Sequence, residues 1–133
     1  MKKLLPLLLC LFLFVGCEGK PLPAGMEESK VLDAGRQVVI SLTKGEYEAV
    51  AEQFREDIRT TLDAEQLRSL VEAAAKDAGI YKELTDSMVT GRSSDGTDYA
   101  VAVFWAKYEK ENLLFEAAFD PDMALIGLRV EKK

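Results

Sequence analysis

The hydrophobic pattern divides the chain into three parts. Residues 4–15 form an apolar run, interrupted only by Pro6 and Cys10, that follows two lysines. Residues 27–79 then repeat apolar side chains every three or four positions, which predicts amphipathic helices. From Ile80 onward the period changes to two, which predicts strands. Helices are therefore expected before residue 79 and a sheet after it.

Two helices are predicted on either side of Gly45, a residue type that often ends helices. The first covers Glu27–Lys44 and buries a stripe formed by Val31, Gly35, Val38, Val39 and Leu42. The second restarts near Glu46 and buries a face formed by Tyr47, Val50, Ala51, Phe54 and Ile58. The spacing of both stripes fits one face of an α-helix.

A third helix has the clearest start signal. Asp63 is the expected N-cap, and Gln66 completes a capping box three residues later. Leu62 and Leu67 stand at the positions of a hydrophobic staple. The buried stripe comprises Leu67, Leu70, Val71, Ala74 and Ala78, and Gly79 ends the helix.

Four strands follow, predicted over Tyr81–Arg92, Tyr99–Tyr108, Leu113–Phe119 and Ala124–Glu131. Asp95-Gly96 is a strong hairpin signal, and Asp120-Pro121-Asp122 predicts another turn. The predicted fold class is α+β, with three N-terminal helices packed on a four-stranded antiparallel meander. Because the second strand is apolar on both sides, the pattern leaves open which side meets the helices.

The apolar run at the start is typical of a secretory signal peptide. Lys2 and Lys3 supply its positive charge, and about a dozen apolar residues are too few for a membrane span, which needs roughly 20. Phe14-Val15-Gly16-Cys17 resembles the lipobox of bacterial lipoproteins, in which the cysteine takes a diacylglycerol. Cys17 is therefore the predicted lipidation site, and the alternative is a plain secretory signal with an incidental cysteine.

The predicted organisation is a signal peptide over 1–16 that is removed, a lipidated tether over 17–26 and a single domain over 27–133. The tether is rich in proline and glycine, and its eight residues 18–25 would reach roughly 26–29 Å when extended. Two acyl chains hold a protein stably on a bilayer. The expected location is extracytoplasmic, on the bacterial cell membrane.

Charge and composition exclude several functions. Removing Lys2 and Lys3 from the 17 basic residues leaves 15 against 23 acidic ones, a net charge of about −8. Nucleic acid is therefore not an expected partner, because its recognition needs a clustered basic surface. The chain has no histidine, Cys10 leaves with the signal peptide and Cys17 is lipidated, so imidazole, thiol and disulfide chemistry are excluded. No cofactor is expected.

No metal site is expected either. Asp95, Asp98, Asp120 and Asp122 carry oxygen ligands of the kind that calcium takes. Their spacing is not that of an EF-hand loop, and aspartate is common in turns. Turn formation is therefore the preferred interpretation of these four residues.

Aromatic side chains offer the candidate binding site. A pocket for a small apolar ligand, between helices and sheet, would be lined by Tyr47, Phe54, Tyr99, Phe104, Trp105, Tyr108, Phe115 and Phe119. The favoured alternative is that these side chains fill the core. Glu116 is the candidate base of a small isomerase or dehydratase that also uses a tyrosine, although strand alternation places it opposite Phe115.

The second half resembles a bacterial family catalogued as a domain of unknown function, number 3887. The resemblance lies in residues 114–120, LFEAAFD, and residues 126–130, IGLRV, with Lys44-Gly45-Glu46-Tyr47 and Phe54 upstream. It spans roughly Val31–Val130. It implies a cystatin-like or nuclear-transport-factor-2-like cone, in which a curved sheet wraps around helices, on secreted or lipid-anchored proteins. It brings no catalytic residues.

Three functions are therefore considered. The first is a non-catalytic binding module whose partners are the membrane, through Cys17, and an unknown protein or small apolar ligand. The second is a small pocket enzyme that uses a carboxylate and a tyrosine. The third is a self-associating envelope component, with a homodimer formed through the sheet face around Trp105.

Replacing Cys17 with serine is expected to release the protein from membranes, because serine cannot form the thioether to diacylglycerol. The distribution between membrane and soluble fractions after cell breakage measures this release. Retention of the Cys17→Ser variant in the membrane fraction would contradict the lipobox interpretation.

Overall fold

The computed structural model describes residues 21–133. Four helices precede four strands: α1 (Glu28–Thr43), α2 (Tyr47–Ala51), α3 (Glu56–Arg59), α4 (Ala64–Ala75), β1 (Tyr81–Ser94), β2 (Thr97–Tyr108), β3 (Asn112–Phe119) and β4 (Leu125–Lys132). The strands form one antiparallel meander in the order β1-β2-β3-β4. The predicted α+β class is confirmed, while the signal peptide and Cys17 lie outside the described residues.

The helix α1 packs directly on the middle of the sheet. Its buried residues are those of the predicted stripe: Val31, Gly35, Val38, Val39 and Leu42. A Cβ atom built on Gly35 would lie 2.6 Å from the Cβ of Ala102 and 3.0 Å from the ring of Phe104. Glycine is therefore required at this position, because helix and strand approach more closely than a side chain allows.

The predicted second helix is wrong as a single element, because the chain forms two short helices instead. Between them Phe54 makes a parallel bridge with Leu125, and the backbone N–H of Arg55 donates to the carbonyl of Leu125 at 2.9 Å. Arg55 has extended dihedral angles, with φ −58° and ψ 145°. Sheet pairing with β4 thus replaces helical hydrogen bonds here, although the predicted apolar face still packs on the core.

The capping box of α4 forms as predicted. The Asp63 carboxylate accepts from the Gln66 backbone N–H at 3.0 Å, and the Gln66 side chain accepts from the Asp63 N–H at 3.0 Å. Leu67, Val71 and Ala78 are buried, but the helix ends at Ala75 rather than at Ala78. Gly79 then adopts a φ of 85°, which turns the chain into β1.

The strands extend further into the first hairpin than predicted. Asp95 and Gly96, with φ values of 51° and 81°, form a two-residue turn, so β1 continues to Ser94 and β2 begins at Thr97. Positive φ at both central positions is the requirement of a type I′ turn, whose twist matches that of the paired strands.

The strand β2 is covered by side chains on both sides. Ala100, Ala102, Phe104, Ala106 and Tyr108 face the helices in the main core, whereas Val101 and Val103 belong to a second apolar cluster with Leu114. The even-numbered side therefore meets the helices, a choice that the two-sided apolar pattern had left open.

The turn between β3 and β4 is held by Asp120, which is only 6% exposed. Its Oδ1 accepts from the backbone N–H groups of Asp122 and Ala124, each at 2.9 Å. Its Oδ2 accepts from Arg55 Nη1 at 3.1 Å. Arg55 also bonds Asp57 at 2.8 Å, and this bond lowers the pKa of the Asp57 carboxyl. These side chains fasten the start of α3 to the sheet.

Part of the predicted tether packs on the domain. Residues 23–26 form a hydrogen-bonded turn, in which the N–H of Met26 donates to the carbonyl of Pro23 at 3.1 Å and Gly25 has a φ of 87°. Leu22 and Met26 pack against the core. The folded domain therefore begins before Glu27, closer to Cys17 than predicted.

Gly35→Ala is expected to destabilise the domain by about 1–2 kcal/mol. Overpacking against Ala102 costs about 1–3 kcal/mol, and the better helix propensity of alanine returns up to about 1 kcal/mol. Urea unfolding measures the change. In an Ala102→Gly background the same substitution is expected to cost less, because the shortest contact is removed while that with the Phe104 ring remains. An equal cost in both backgrounds would contradict the close contact.

Candidate functional site

The eight aromatic residues of the predicted pocket do not surround one space. Phe54, Phe104, Phe115 and Phe119 are at most 2% exposed and, with Tyr108, belong to the main core, where Tyr47 packs at the margin. Tyr99 and Trp105 lie on the opposite side of the sheet. The prediction of one aromatic pocket is therefore wrong, because strand alternation places Tyr99 and Trp105 on the other side of the sheet from the remaining six residues.

The side of the sheet that faces away from the helices, called the outer face here, carries its own apolar cluster. Val101, Val103 and Leu114 are buried there, and Tyr99, Trp105 and Ala118 are partly buried around them. Val101 is only 1% exposed although no described helix covers it. Neighbouring side chains on adjacent strands provide this cover, as expected for cross-strand packing.

A cleft lies on the outer face, across the strands at the hairpin end. It has a volume of about 170 Å³ and is called the outer-face cleft; its lining comprises Arg92, Tyr99, Val101, Glu116, Ala118, Gly127, Leu128 and Arg129. Sheet register brings these residues together, since Tyr99 pairs with Arg92, Glu116 with Arg129 and Ala118 with Gly127.

Charged side chains define the chemistry of the outer-face cleft. Arg92 Nη1 donates to Glu116 Oε1 at 3.2 Å, and the Glu116 side chain is only 13% exposed. Arg129 stands directly across from Glu116 but donates to Glu131 at 3.1 Å. The cleft thus combines two guanidinium groups, one carboxylate, one tyrosine ring and an apolar floor.

The carboxylate and the tyrosine of the enzyme hypothesis do meet in this cleft. Glu116 and Tyr99 both line it, and Glu116 points away from Phe115 as predicted. Glu116 accepts a hydrogen bond from Arg92, however, so its carboxylate is engaged by a guanidinium group.

A second, larger depression lies between α2 and α4. It has a volume of about 460 Å³ and is lined by Gly45, Glu46, Tyr47, Glu48, Ala49, Ala64, Glu65 and Arg68. The Arg68 guanidinium lies over the Tyr47 ring at 5.6 Å and bonds Glu65 at 3.2 Å. Arg68, the basic residue of this lining, is therefore engaged by its neighbours. Three glutamates dominate the rest of the lining of the depression.

Three of the four predicted turn aspartates lie at turns, whereas Asp98 lies in β2. Asp95 occupies the type I′ turn, and Asp120 anchors the next turn, which contains Asp122. Asp98 accepts from the Ser93 hydroxyl on the paired strand. Across residues 21–133, no group of three acidic or cysteine side chains is arranged to hold a metal ion. Within the same range, no helix has the length and apolarity to cross a bilayer.

A family model described as "Protein of unknown function (DUF3887)" matches residues 36–128, more than half of the chain. The chain belongs to the DUF3887 family. The match runs from α1 into β4, so it includes the outer-face cleft except Arg129, and it confirms the resemblance seen in the sequence. No curated protein matches the chain.

A solved structure supports the architecture of this DUF3887 domain. The NMR structure of a protein from Ruminococcus gnavus ATCC 29149 superposes with a TM-score of 0.68 at 25% sequence identity. The alignment covers 82% of this chain and 95% of that chain. The helices and the meander therefore form a recurrent unit.

Sequence patterns alone did not identify the cleft residues Arg92, Gly127 and Arg129. Each is an ordinary strand residue, and their meeting depends on the register of three strand pairs. A bulge between Ala118 and Phe119 leaves Ile126 without a partner, which shifts the side assigned to residues beyond it. Arg92, Tyr99 and Glu116 can be placed on one face only when the strand register is known.

The predicted pocket residue Tyr108 instead couples pH to stability. Burial, with smaller contributions from Tyr81 and Tyr47, raises the pKa of Tyr108 from 10.0 to about 12. The Tyr81 ring meets it edge-on, with centroids 5.5 Å apart. Since the folded state favours the neutral phenol, its contribution to stability is complete below pH 10 and is lost between about pH 10 and 12.

The unfolding free energy is therefore expected to fall by about 2–3 kcal/mol over this pH range because of Tyr108. Tyr108→Phe should remove that part of the fall, since phenylalanine has no proton to lose. Urea unfolding at pH 8 and at pH 11.5 compares the two proteins. An identical pH dependence in wild type and Tyr108→Phe would show that Tyr108 ionises equally in both states.

Proposed function

We propose that the mature chain is a lipid-anchored, extracytoplasmic binding module without catalytic activity, and that its outer face is the binding surface. The observation that carries this proposal is the outer-face cleft, in which paired charges surround an apolar floor on the side that no described helix covers. Concave sites of this composition, mostly apolar with a few placed polar groups, are typical of ligand recognition.

The attachment point supports a position close to the bilayer. Cys17 precedes Pro21 by four residues, which span at most about 13–14 Å when extended. Residues 21–24 line a cleft of about 260 Å³ together with Arg92, Ser93 and Asp98 at the end of the first hairpin. A lipid on Cys17 would therefore hold this end of the sheet beside the membrane, and the pole near Ile80 and Lys110 would point away from it.

The charges in the cleft favour binding over catalysis. A general base that removes a proton at neutral pH needs a carboxylate whose protonated form is stabilised by an apolar site. Glu116 has a guanidinium partner instead. A homodimer through the outer face is the second candidate, because Met88 is 40% exposed beside the cluster that contains Trp105.

Photo-crosslinking in intact cells tests the binding surface. A benzophenone side chain at Met88 on the outer face is expected to form an adduct with a partner of different mass. The matched control is the same side chain at Ile80, which is apolar and 66% exposed but lies outside the outer-face cluster. The adduct from position 88 should weaken when Gly127→Val fills the neighbouring cleft.

Three results would contradict the binding proposal. Adducts of equal yield from positions 88 and 80 would indicate non-specific collisions. An adduct with the mass of two copies would favour self-association instead. Turnover that disappears in Glu116→Gln would favour the enzyme hypothesis.

A further inference from the structure

The two arginines of the outer-face cleft retain most of their donors. A guanidinium group carries five N–H donors in a planar fork. Among the side-chain hydrogen bonds of residues 21–133, Arg92 donates only to Glu116 and Arg129 only to Glu131, each through one nitrogen. Both groups line the same cleft, so several donors remain for a ligand that lies between them.

The cleft brings guanidinium groups together on a chain that is acidic as a whole. Its lining holds two arginines and one glutamate, and Glu131 accepts from Arg129, so two guanidinium groups stand beside two carboxylates in a chain of net charge −6. The paired carboxylates reduce the positive charge that the two guanidinium groups offer to an anion. A monoanion therefore suits the cleft better than a phosphate monoester, which carries about −1.5 to −2 near neutral pH.

The floor of the cleft sets the size of the group next to the anion. Val101 and Ala118 form an apolar floor, and Gly127 leaves space because it has no side chain. The volume of about 170 Å³ is below the roughly 300–1,000 Å³ of pockets that take drug-sized ligands. A short apolar stem fills this space, whereas a large ring system does not.

We propose that the outer-face cleft binds a carboxylate carried on a short apolar stem. Arg129 and Arg92 donate to the carboxylate, the stem lies on Val101 and Ala118, and Glu116 positions Arg92. The planar fork of arginine matches the two oxygens of a carboxylate. This inference rests on the proposed function only in taking the outer face as the binding surface. Two sources share this chemistry, the C-terminus of a peptide and a free organic acid.

NMR titration of the mature protein carrying Cys17→Ser tests the proposal with three probes. These are hexanoate, N-acetyl-Ala-Ala with a free carboxylate, and the same dipeptide with an amidated C-terminus. At least one acid is expected to give saturable amide shifts centred on Gly127, Ala118 and Val101, while the amide gives none. Binding of only the peptide acid or only hexanoate identifies the source, and either result supports the proposal.

Substitutions separate ligand binding from a structural role of the ion pairs. Arg129→Gln is expected to weaken binding about tenfold, because it removes charge-assisted hydrogen bonds. Glu116→Gln is expected to strengthen binding several-fold, because it removes a like charge while the glutamine side-chain oxygen can still accept from Arg92. Gly127→Val should abolish binding by filling the cleft; its Cβ would meet Ala118 at an ordinary 3.6 Å, so the fold should tolerate it.

Arg68→Gln is the matched control, since Arg68 is an exposed arginine on a different surface and pairs with Glu65. It should leave the affinity unchanged. Equal effects of Arg68→Gln and Arg129→Gln, binding of the amidated dipeptide, or no saturable shift with either acid would overturn the proposal. Tighter binding of phenyl phosphate than of both acids would also overturn it.

The two proposals fail in distinguishable ways. Absence of carboxylate binding with a persistent adduct from position 88 rejects the ligand class and leaves the binding module. Carboxylate binding by a protein that never reaches the membrane rejects the anchor and leaves the cleft.

Discussion

The helix α1 approaches β2 so closely that their contact sets how the sheet packs in this domain. Gly35 brings the helix so near to Ala102 that the even-numbered side of β2 forms the middle of the core. Because successive side chains of a strand point to opposite sides, Val101, Val103 and Trp105 then lie on the outer face. The position of the candidate cleft is thus a consequence of packing on the opposite side of the same strand.

Pairing with the sheet sets the break between the short helices α2 and α3. Residues between them pair with Leu125, and Arg55 joins this crossing to the buried carboxylate of Asp120. One aspartate thereby satisfies two backbone donors of its turn and one guanidinium. Unpaired backbone groups at the edge of a sheet form hydrogen bonds with a neighbouring segment where one is available. Pairing with the edge strand β4 therefore breaks the segment from Tyr47 to Arg59 into two helices.

The outer face combines an apolar cluster with charged groups at one end. Its apolar cluster is rimmed by arginine and glutamate side chains that form ion pairs. Arg92 lines both the outer-face cleft and the cleft beside residues 21–24. A lipid anchor at Cys17, as proposed, would therefore keep this face within a short reach of the membrane.

Local sequence patterns are sufficient to predict the α+β class, the buried stripe of α1, the capping box of α4 and the Asp-Gly turn, because each depends on residues that are near neighbours in the chain. The outward direction of Glu116 likewise follows from period-two alternation. Long-range contacts were needed to establish which side of β2 meets the helices, where the second helix breaks, and that Arg92, Glu116 and Arg129 share one cleft. These outcomes depend on strand register, a bulge and long-range pairing, and such contacts leave no local pattern in the sequence.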